Sequence, residues 1–167
     1  KYLDVLIRLD QPNLLDWTLD SCRAFIISFP SSRKNDQVLV WIADIYDQKK
    51  KFSEAEASYR KFVTVYPNSP LLPAVQYKQG VLLYENLKKD KDAVEVMAAL
   101  VKKYPNSKYA VKALLLSGEI KEKKLKDYKA AIADYRMLAQ KYPKDENAVE
   151  ALWTIAEINQ VQLKDYK

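Results

Sequence analysis

The sequence contains no histidine and only one cysteine, and these two scarcities exclude several classes of function. Without histidine, the chain has no imidazole for acid–base catalysis, for a serine-hydrolase triad or for a metal site. Cys22 alone cannot form a disulfide within the chain. We interpret it as a small buried residue, because the neighbouring Ala24, Phe25 and Ile26 read as helical and apolar. A reactive thiol is the alternative.

Turn-forming residues and long apolar runs are also scarce. Two glycines and seven prolines in 167 residues are too few for a β-rich or loop-rich fold. No window approaches the run of about 18 apolar residues that a membrane span requires. The start of the sequence lacks a signal-peptide pattern, and both ends fall inside the repeat described below. We therefore expect a fragment of a longer protein, and an upstream signal or lipid anchor stays open.

An aromatic-proline pair recurs four times, at intervals of 37, 38 and 38 residues. Two residues after each proline stands a residue of a type that commonly caps the start of a helix. We expect each proline to end one helix, and the next helix to begin two or three residues later. The pairs and their capping residues are Phe29-Pro30 with Ser32, Tyr66-Pro67 with Ser69, Tyr104-Pro105 with Ser107, and Tyr142-Pro143 with Asp145.

Small residues recur in phase with these prolines. One small residue lies 13 positions after each proline, and both glycines of the chain belong to this set. A glycine inside a helix costs about 1 kcal/mol against alanine, so a close helix-helix approach is the expected reason. An alanine 12 positions before the later prolines is the expected facing residue. The first set is Ala43, Gly80, Gly118 and Ala156, and the second is Ala55, Ala93 and Ala131, with Thr18 in the equivalent place near the start.

These patterns predict an all-α fold, a right-handed α-solenoid of stacked antiparallel helix pairs with a period of 37–38 residues. We expect a single domain over residues 1–167, with units at about 1–30, 31–67, 68–105, 106–143 and a truncated 144–167. About nine helical segments follow, including the end of one at 1–9, another at 13–28 and a further one near 127–141. The five residues 125–129 return unchanged at 163–167, where a further second helix would begin.

The combination of small residues, aromatics and a terminal proline resembles the tetratricopeptide repeat. The matching residues are Ala43, Phe52, Ala55, Tyr59 and Pro67 in one unit, and Gly118, Tyr128, Ala131, Tyr135 and Pro143 in another. The unit between them departs at Asp90 and Met97, where the family has aromatics. The Tyr-Pro-Asn-Ser junction and the longer period are similar to periplasmic BamD-like lipoproteins and YbgF-like proteins of the Tol-Pal system. This resemblance implies a bacterial envelope protein, in the periplasm or at the outer membrane, that holds other proteins together.

In the tetratricopeptide family the first helix of each pair lines a concave face where partner segments dock. The resemblance places an acidic set with aromatic anchors on that face, with Lys112 and Lys123 as its main basic residues. In the alternative interpretation, the aromatics are packing residues and the acids balance nearby lysines. The predicted partner-binding residues are Val40, Asp44, Asp47, Tyr77, Val81, Tyr84, Glu85, Leu115, Glu119, Glu122, Trp153, Glu157 and Gln160.

Lysine clusters at predicted helix ends and turns carry the basic excess of the chain, whose net charge is +6. We interpret them as solvated turns near helix C-termini, where the helix dipole favours cations, and nucleic acid is not an expected partner. The sequence shows no phosphate-binding glycine loop and no nucleophile elbow. We therefore expect no cofactor, no small-molecule substrate and no enzymatic activity. The predicted function is a protein-binding scaffold, and self-association through the terminal helices is the alternative.

Overall fold

The computed structural model describes the backbone of residues 12–163 and the side chains of residues 14–162. This part of the chain is all-helical, and it ends in a π-helical turn at Ile158–Leu163. The eight α-helices are α1 (Pro12–Ser28), α2 (Asn35–Gln48), α3 (Phe52–Val65), α4 (Leu72–Glu85), α5 (Asp90–Lys103), α6 (Lys108–Lys123), α7 (Tyr128–Lys141) and α8 (Asn147–Glu157).

The helices form two compact units, Lys1–Leu87 and Lys88–Lys167. In the first unit α1 packs on α2, α2 on α3, and α3 on α4. In the second unit α5, α6, α7 and α8 pack in the same consecutive manner. This consecutive packing of helices confirms the predicted all-α architecture. The prediction of a single domain over the whole chain stays a prediction.

Each aromatic-proline junction folds in the same way. The carbonyl of the aromatic residue accepts a hydrogen bond from the N–H of the capping residue three positions later, at N···O distances of 2.9–3.1 Å. The side chain of that capping residue, for example Ser107, then accepts from the N–H two positions further on, at 3.0–3.2 Å. At Ser107 this bond caps α6, as predicted. At the other three junctions the N-cap residues are Lys34, Leu71 and Glu146, which make no side-chain cap hydrogen bond, so the predicted caps are wrong there. The reason is that the junction turn precedes the helix, which begins three to five residues after the proline.

The turns inside the helix pairs depend on a feature that the sequence analysis did not identify. Lys50, Lys88 and Lys126, which are 38 residues apart, have φ angles of 56°, 55° and 56°. This left-handed conformation normally favours glycine, and it closes the C-terminal end of a helix. At the last of them, the N–H of Asp127 donates to the carbonyl of Lys121, at 2.9 Å. The lysines at helix ends are thus turn residues, as predicted, and three of them also set the direction of the chain.

The core consists of the small and apolar faces of these helices. Ala43, Ala55, Ala93 and Ala131 are fully buried, as their repeat positions predict. Thr18, in the equivalent place on α1, is also fully buried, and its hydroxyl donates to the carbonyl of Leu14 at 2.7 Å.

Gly118 lies at a close approach between α6 and α7. The three atoms nearest to the place of its missing Cβ belong to the ring of Tyr135, one turn after Ala131, and the closest is at 2.7 Å. The close approach that the sequence predicts is therefore present, and its nearest atoms belong to Tyr135. The glycine makes room for an aromatic ring because any Cβ there would collide with it.

Most predicted helices lie close to their expected bounds. The interpretation of residues 13–28 as a helix is confirmed by α1, and the predicted helix at 127–141 is confirmed by α7. The helix end predicted at 1–9 and the repeated start at 163–167 lie outside the described residues, apart from the backbone of Leu163.

Candidate functional site

A cleft of about 350 Å³ lies between α2 and α4 in the first unit. These are first helices of consecutive repeats, so the cleft belongs to the face that the sequence analysis selected. Five of the predicted partner-binding residues line this cleft, and Lys78 is its single basic residue. The predicted residues are Asp44, Asp47, Tyr77, Val81 and Glu85.

Asp44 is held in place by two neighbours. Its carboxylate accepts a hydrogen bond from the hydroxyl of Tyr59 at 2.8 Å. The ammonium of Lys78 donates to both carboxylate oxygens, at 2.6 and 2.7 Å. Tyr59 is fully buried on α3, and burial together with the negative charge of Asp44 raises the pKa of its hydroxyl. The carboxylate of Asp44 therefore already has partners. This agrees with the alternative interpretation, in which the acids of this face balance nearby lysines.

Asp47, one turn after Asp44, is the carboxylate that the cleft leaves available. Within the described residues no side chain donates a hydrogen bond to it. Burial raises the pKa of Asp47, and the negative charges of Asp44 and Glu85 raise it further, against the opposing effect of Lys78. Three carboxylates thus face one lysine, and a cation arriving beside Asp47 would relieve the repulsion.

Apolar surface lies beside this carboxylate. Tyr77 and Val81 are neighbours on one face of α4, and both are partly exposed. Burial is the main cause of the raised pKa of Tyr77, with Glu85 adding to it. Tyr77 is thus partly buried and partly exposed. Tyrosines in this environment are common at protein interfaces, where the ring is buried and the hydroxyl stays hydrated.

The remaining predicted residues of the first unit differ in accessibility. Val40 is only 8% exposed and belongs to the core, so it offers little surface to a partner. Tyr84 is partly exposed on α4, but it does not line the cleft.

In the second unit, two of the predicted acids already have partners. Glu119 forms an ion pair with Lys123 at 2.9 Å. Glu122 accepts a hydrogen bond from the hydroxyl of Tyr135 at 3.0 Å, and burial with this bond raises the pKa of Tyr135. Leu115 lies on the same helix and is partly exposed.

The predicted residues near the end of the chain are open to solvent. Trp153 is 74% exposed, and Glu157 and Gln160 are exposed as well. Neither Tyr77 nor Trp153 is therefore buried beneath a neighbouring helix in the part of the chain that the structure describes. Both side chains are at least partly accessible to solvent.

Two contributors to the first cleft escaped the sequence analysis as site residues. Tyr59 is identified from the sequence only as a match to the repeat motif, and its hydrogen bond to Asp44 across the helix pair gives it a role in the cleft. Lys78 lies 34 residues from Asp44, so its ion pair depends on how α2 and α4 meet. The only available signal was the repeat itself, which places α2 and α4 on the same face.

Other kinds of site find little support among residues 12–163. No group of three or more potential ligands could hold a metal ion there, and no described helix is long and apolar enough to cross a membrane. Cys22 is 2% exposed, and burial raises the pKa of its thiol to about 11. This agrees with the interpretation of Cys22 as a packing residue, since a thiol with a raised pKa is a poor nucleophile at neutral pH.

Comparison with known families agrees with the repeat and its junctions. Residues 112–145, which span α6 and α7, match the tetratricopeptide repeat. Residues 19–125 match YfiO, a family described as outer membrane lipoprotein, and this segment covers more than half of the chain. No curated protein matches the sequence. The predicted resemblance to tetratricopeptide repeats and BamD-like lipoproteins is confirmed: the chain belongs to the YfiO family of outer membrane lipoproteins.

Proposed function

We propose that this chain is a non-enzymatic scaffold of outer-membrane assembly, which works on the periplasmic side of the outer membrane. Membership of an outer membrane lipoprotein family supports the location, and the tetratricopeptide repeat supports a role in binding other proteins. The absence of histidine from the sequence removes the commonest acid–base catalyst. The partner contributes a peptide or a helix that docks on the first helices of the repeats.

The cleft between α2 and α4 is the observation that carries this proposal. It combines the available carboxylate of Asp47 with the apolar surface of Tyr77 and Val81. Such a surface fits a segment with one apolar anchor and a nearby lysine or arginine. The charge pair sets the orientation of the segment, and the apolar contact supplies most of the affinity.

A capture experiment from a bacterial envelope extract tests the proposal. The parent chain is compared with a Tyr77→Ala, Trp153→Ala double variant and with Asp47→Lys. Trp17→Ala is the matched control, because Trp17 is 58% exposed on α1 and lies away from the cleft. Circular dichroism confirms that each variant is folded.

We expect a protein that the parent and Trp17→Ala capture and that the double variant and Asp47→Lys lose. Loss with Asp47→Lys alone would assign recognition to charge. Retention by every variant would contradict the cleft as the binding surface and would move the site to other helices.

Self-association is a second candidate, and the exposed face of α8 favours it. Val149 and Leu152 are 64% and 56% exposed. Their counterparts one repeat earlier, Val111 and Leu114, are 8% and 3% exposed. An apolar helix face of this kind is typical of an interaction surface.

Light scattering at increasing protein concentration tests this candidate. If α8 mediates association, the parent chain becomes dimeric or larger, and Leu152→Glu returns it to a monomer. Lys112→Gln, on the exposed side of α6, is the control, because it changes the net charge by the same one unit. A parent chain that remains monomeric at high concentration would exclude self-association through α8.

A further inference from the structure

A second cleft, of about 320 Å³, lies in the second unit between α5 and α7, with α6 as its floor. It is bounded by second helices of consecutive repeats, so it is separate from the face proposed above. Its walls are largely apolar, with Met97 and Val101 from α5 and Met137 from α7, and Leu114 contributes to the floor. Its size is close to the lower end of ligand pockets, at about 300 Å³.

A departure from the repeat lies in the wall of this cleft. The second helices α1, α3 and α7 carry an arginine five positions after their small residue, namely Arg23, Arg60 and Arg136. In α5 the same position is Ala98, which is exposed and lines the cleft. A long charged side chain is thus missing only from the helix that forms one wall. Because the other three second helices carry it, the cleft is a local feature of α5.

The facing wall is apolar as well. Met137 on α7 lines the cleft and is 37% exposed. Methionine is flexible and polarizable, so it adapts to differently shaped apolar partners. Two second helices thus present apolar side chains to the cleft.

The polar groups of the cleft leave a positive charge at one end. Lys102 and Lys141 lie in the last turns of α5 and α7, and both line the cleft. Within the described residues neither lysine forms an ion pair. The single carboxylate, Asp134, is already satisfied, because Lys121 pairs with it at 2.6 Å and the hydroxyl of Ser117 donates to it at 2.6 Å.

We propose that the cleft between α5 and α7 binds an amphipathic segment of a second protein partner, with an apolar side chain inserted beside Met137 and acidic side chains paired with Lys102 and Lys141. The apolar walls account for the anchor, and the two lysines account for the sign of the flanking charge. This partner is distinct in chemistry from the basic segment expected at the α2/α4 cleft, so one chain holds two different proteins.

The two methionines of the chain make this site directly observable. Met97 and Met137 are the only methionines in the sequence, and both line the cleft. Labelling the methionine methyl groups with ¹³C therefore gives two NMR signals, each a reporter of the cleft. The probe is a synthetic amphipathic helix of about four turns, with leucines on one face and glutamates beside them. A second peptide has glutamine in place of each glutamate.

We expect the acidic peptide to shift both methyl signals and the glutamine peptide to bind about tenfold more weakly. Ala98→Arg places in the cleft the long side chain that the other second helices carry at this position, and it should weaken binding by tenfold or more. Ala99→Arg is the matched control, since Ala99 is exposed on α5 but does not line the cleft. The double variant Lys102→Glu, Lys141→Glu should bind the acidic peptide no better than the parent binds the glutamine peptide.

Three results would overturn the proposal. Equal binding of the acidic and glutamine peptides would show that the two lysines do not recognise the peptide's charge. Equal effects of Ala98→Arg and Ala99→Arg would show that the peptide does not bind in the cleft. Methyl shifts with anionic phosphatidylglycerol vesicles, but with neither peptide, would assign the surface to a membrane instead. Circular dichroism and the thermal midpoint of each variant confirm that lost binding does not reflect unfolding.

Discussion

Tyr59 and Tyr135 show how a single residue type can serve two repeats differently. They occupy equivalent positions 76 residues apart, and both are buried. Tyr59 donates its hydroxyl hydrogen bond to Asp44, and Tyr135 donates to Glu122, one turn further along the facing helix. The difference follows from position 118, where glycine lets the Tyr135 ring lie against the backbone of α6. The repeat position therefore determines where the tyrosine ring lies, and the neighbouring small residue influences which carboxylate accepts its hydrogen bond.

Alkaline pH should destabilise the chain through these two tyrosines. Burial and the facing carboxylates raise their pKa in the folded state, whereas in the unfolded chain tyrosine ionises near pH 10. Above about pH 10 the unfolded state therefore binds fewer protons, so the free energy of unfolding falls by about 1.4 kcal/mol per pH unit for each tyrosine. Urea unfolding of the parent and Tyr59→Phe at pH 8, 10 and 11 measures this.

The variant removes one titrating group, so its stability should fall less steeply above pH 10. At pH 8 it should lose only about 1 kcal/mol, the contribution of the hydrogen bond to Asp44. Identical slopes for both proteins between pH 10 and 11 would contradict a raised pKa for Tyr59.

Gly118 should resist any side chain because of the Tyr135 ring. Alanine normally stabilises a helix by about 1 kcal/mol relative to glycine. At Gly118 the new Cβ would lie 2.7 Å from the ring, and overpacking of this kind costs about 1–3 kcal/mol. We expect Gly118→Ala to lower the free energy of unfolding in urea denaturation, and Gly118→Leu to lower it further.

A double-mutant cycle separates the ring from other causes. In a Tyr135→Leu background, Gly118→Ala should become neutral or stabilising, since the collision is absent. If Gly118→Ala is equally damaging in both backgrounds, the Tyr135 ring is not the reason for the glycine.

At the scale of the helical element, the paired helices are joined by turns that use lysine where glycine would be easier. Lys50, Lys88 and Lys126 adopt left-handed backbone angles, which L side chains disfavour by about 1–2 kcal/mol. The turns at Lys50 and Lys126 still form, because the two helices that each of them joins pack against one another. Local strain is thus tolerated for the sake of helix pairing.

Substitutions at Lys126 should reveal this strain. Lys126→Gly relieves the strain, but glycine also increases the conformational entropy of the unfolded chain, which opposes the gain. The net effect should be a rise in the free energy of unfolding of up to about 1 kcal/mol. Lys126→Val should lower it by about 1 kcal/mol or more, because a β-branched residue is poorly accommodated at positive φ. Thermal unfolding of both variants provides the measurement.

Lys124→Gly is the control for this comparison. Lys124 has a φ of −102°, so glycine relieves no strain there and should only destabilise. A stabilising effect at both positions would mean that the gain at Lys126 arises from lost charge and not from backbone conformation.

At the scale of the whole molecule, the positive charge is unevenly distributed. The first unit has 11 basic and 10 acidic residues, whereas the second has 17 and 12. Five of the six net positive charges therefore belong to the second unit. The cleft of the first unit is nevertheless acidic, and the cleft of the second has two unpaired lysines. The two proposed sites thus select partner segments of opposite charge.

Salt should weaken both sites, since exposed charges are screened within about 8–10 Å at physiological ionic strength. We expect a peptide with a basic flank to bind the first cleft and the glutamate peptide to bind the second. Raising sodium chloride from about 50 to 300 mM should weaken both several-fold. Isothermal titration calorimetry at several salt concentrations measures this, and Asp47→Asn, which removes the charge without reversing it, should reduce the salt dependence at the first cleft only. Salt-independent affinities would contradict charge selection.

The sequence by itself determined the helix-pair repeat, its junctions and the family. The aromatic-proline pairs, the capping residues and the buried alanines act locally or at a fixed period, so they can be read along the chain. It also placed five of the residues that line the first cleft, because the repeat assigns them to one face.

Only the tertiary structure decided which side chains meet. The ion pair of Lys78 with Asp44, the ring of Tyr135 against Gly118 and the cleft beside Ala98 all join residues from different helices. A period locates helix faces to within a turn, but such contacts depend on side-chain positions within an ångström or two. That precision arises from packing, which the linear pattern does not encode.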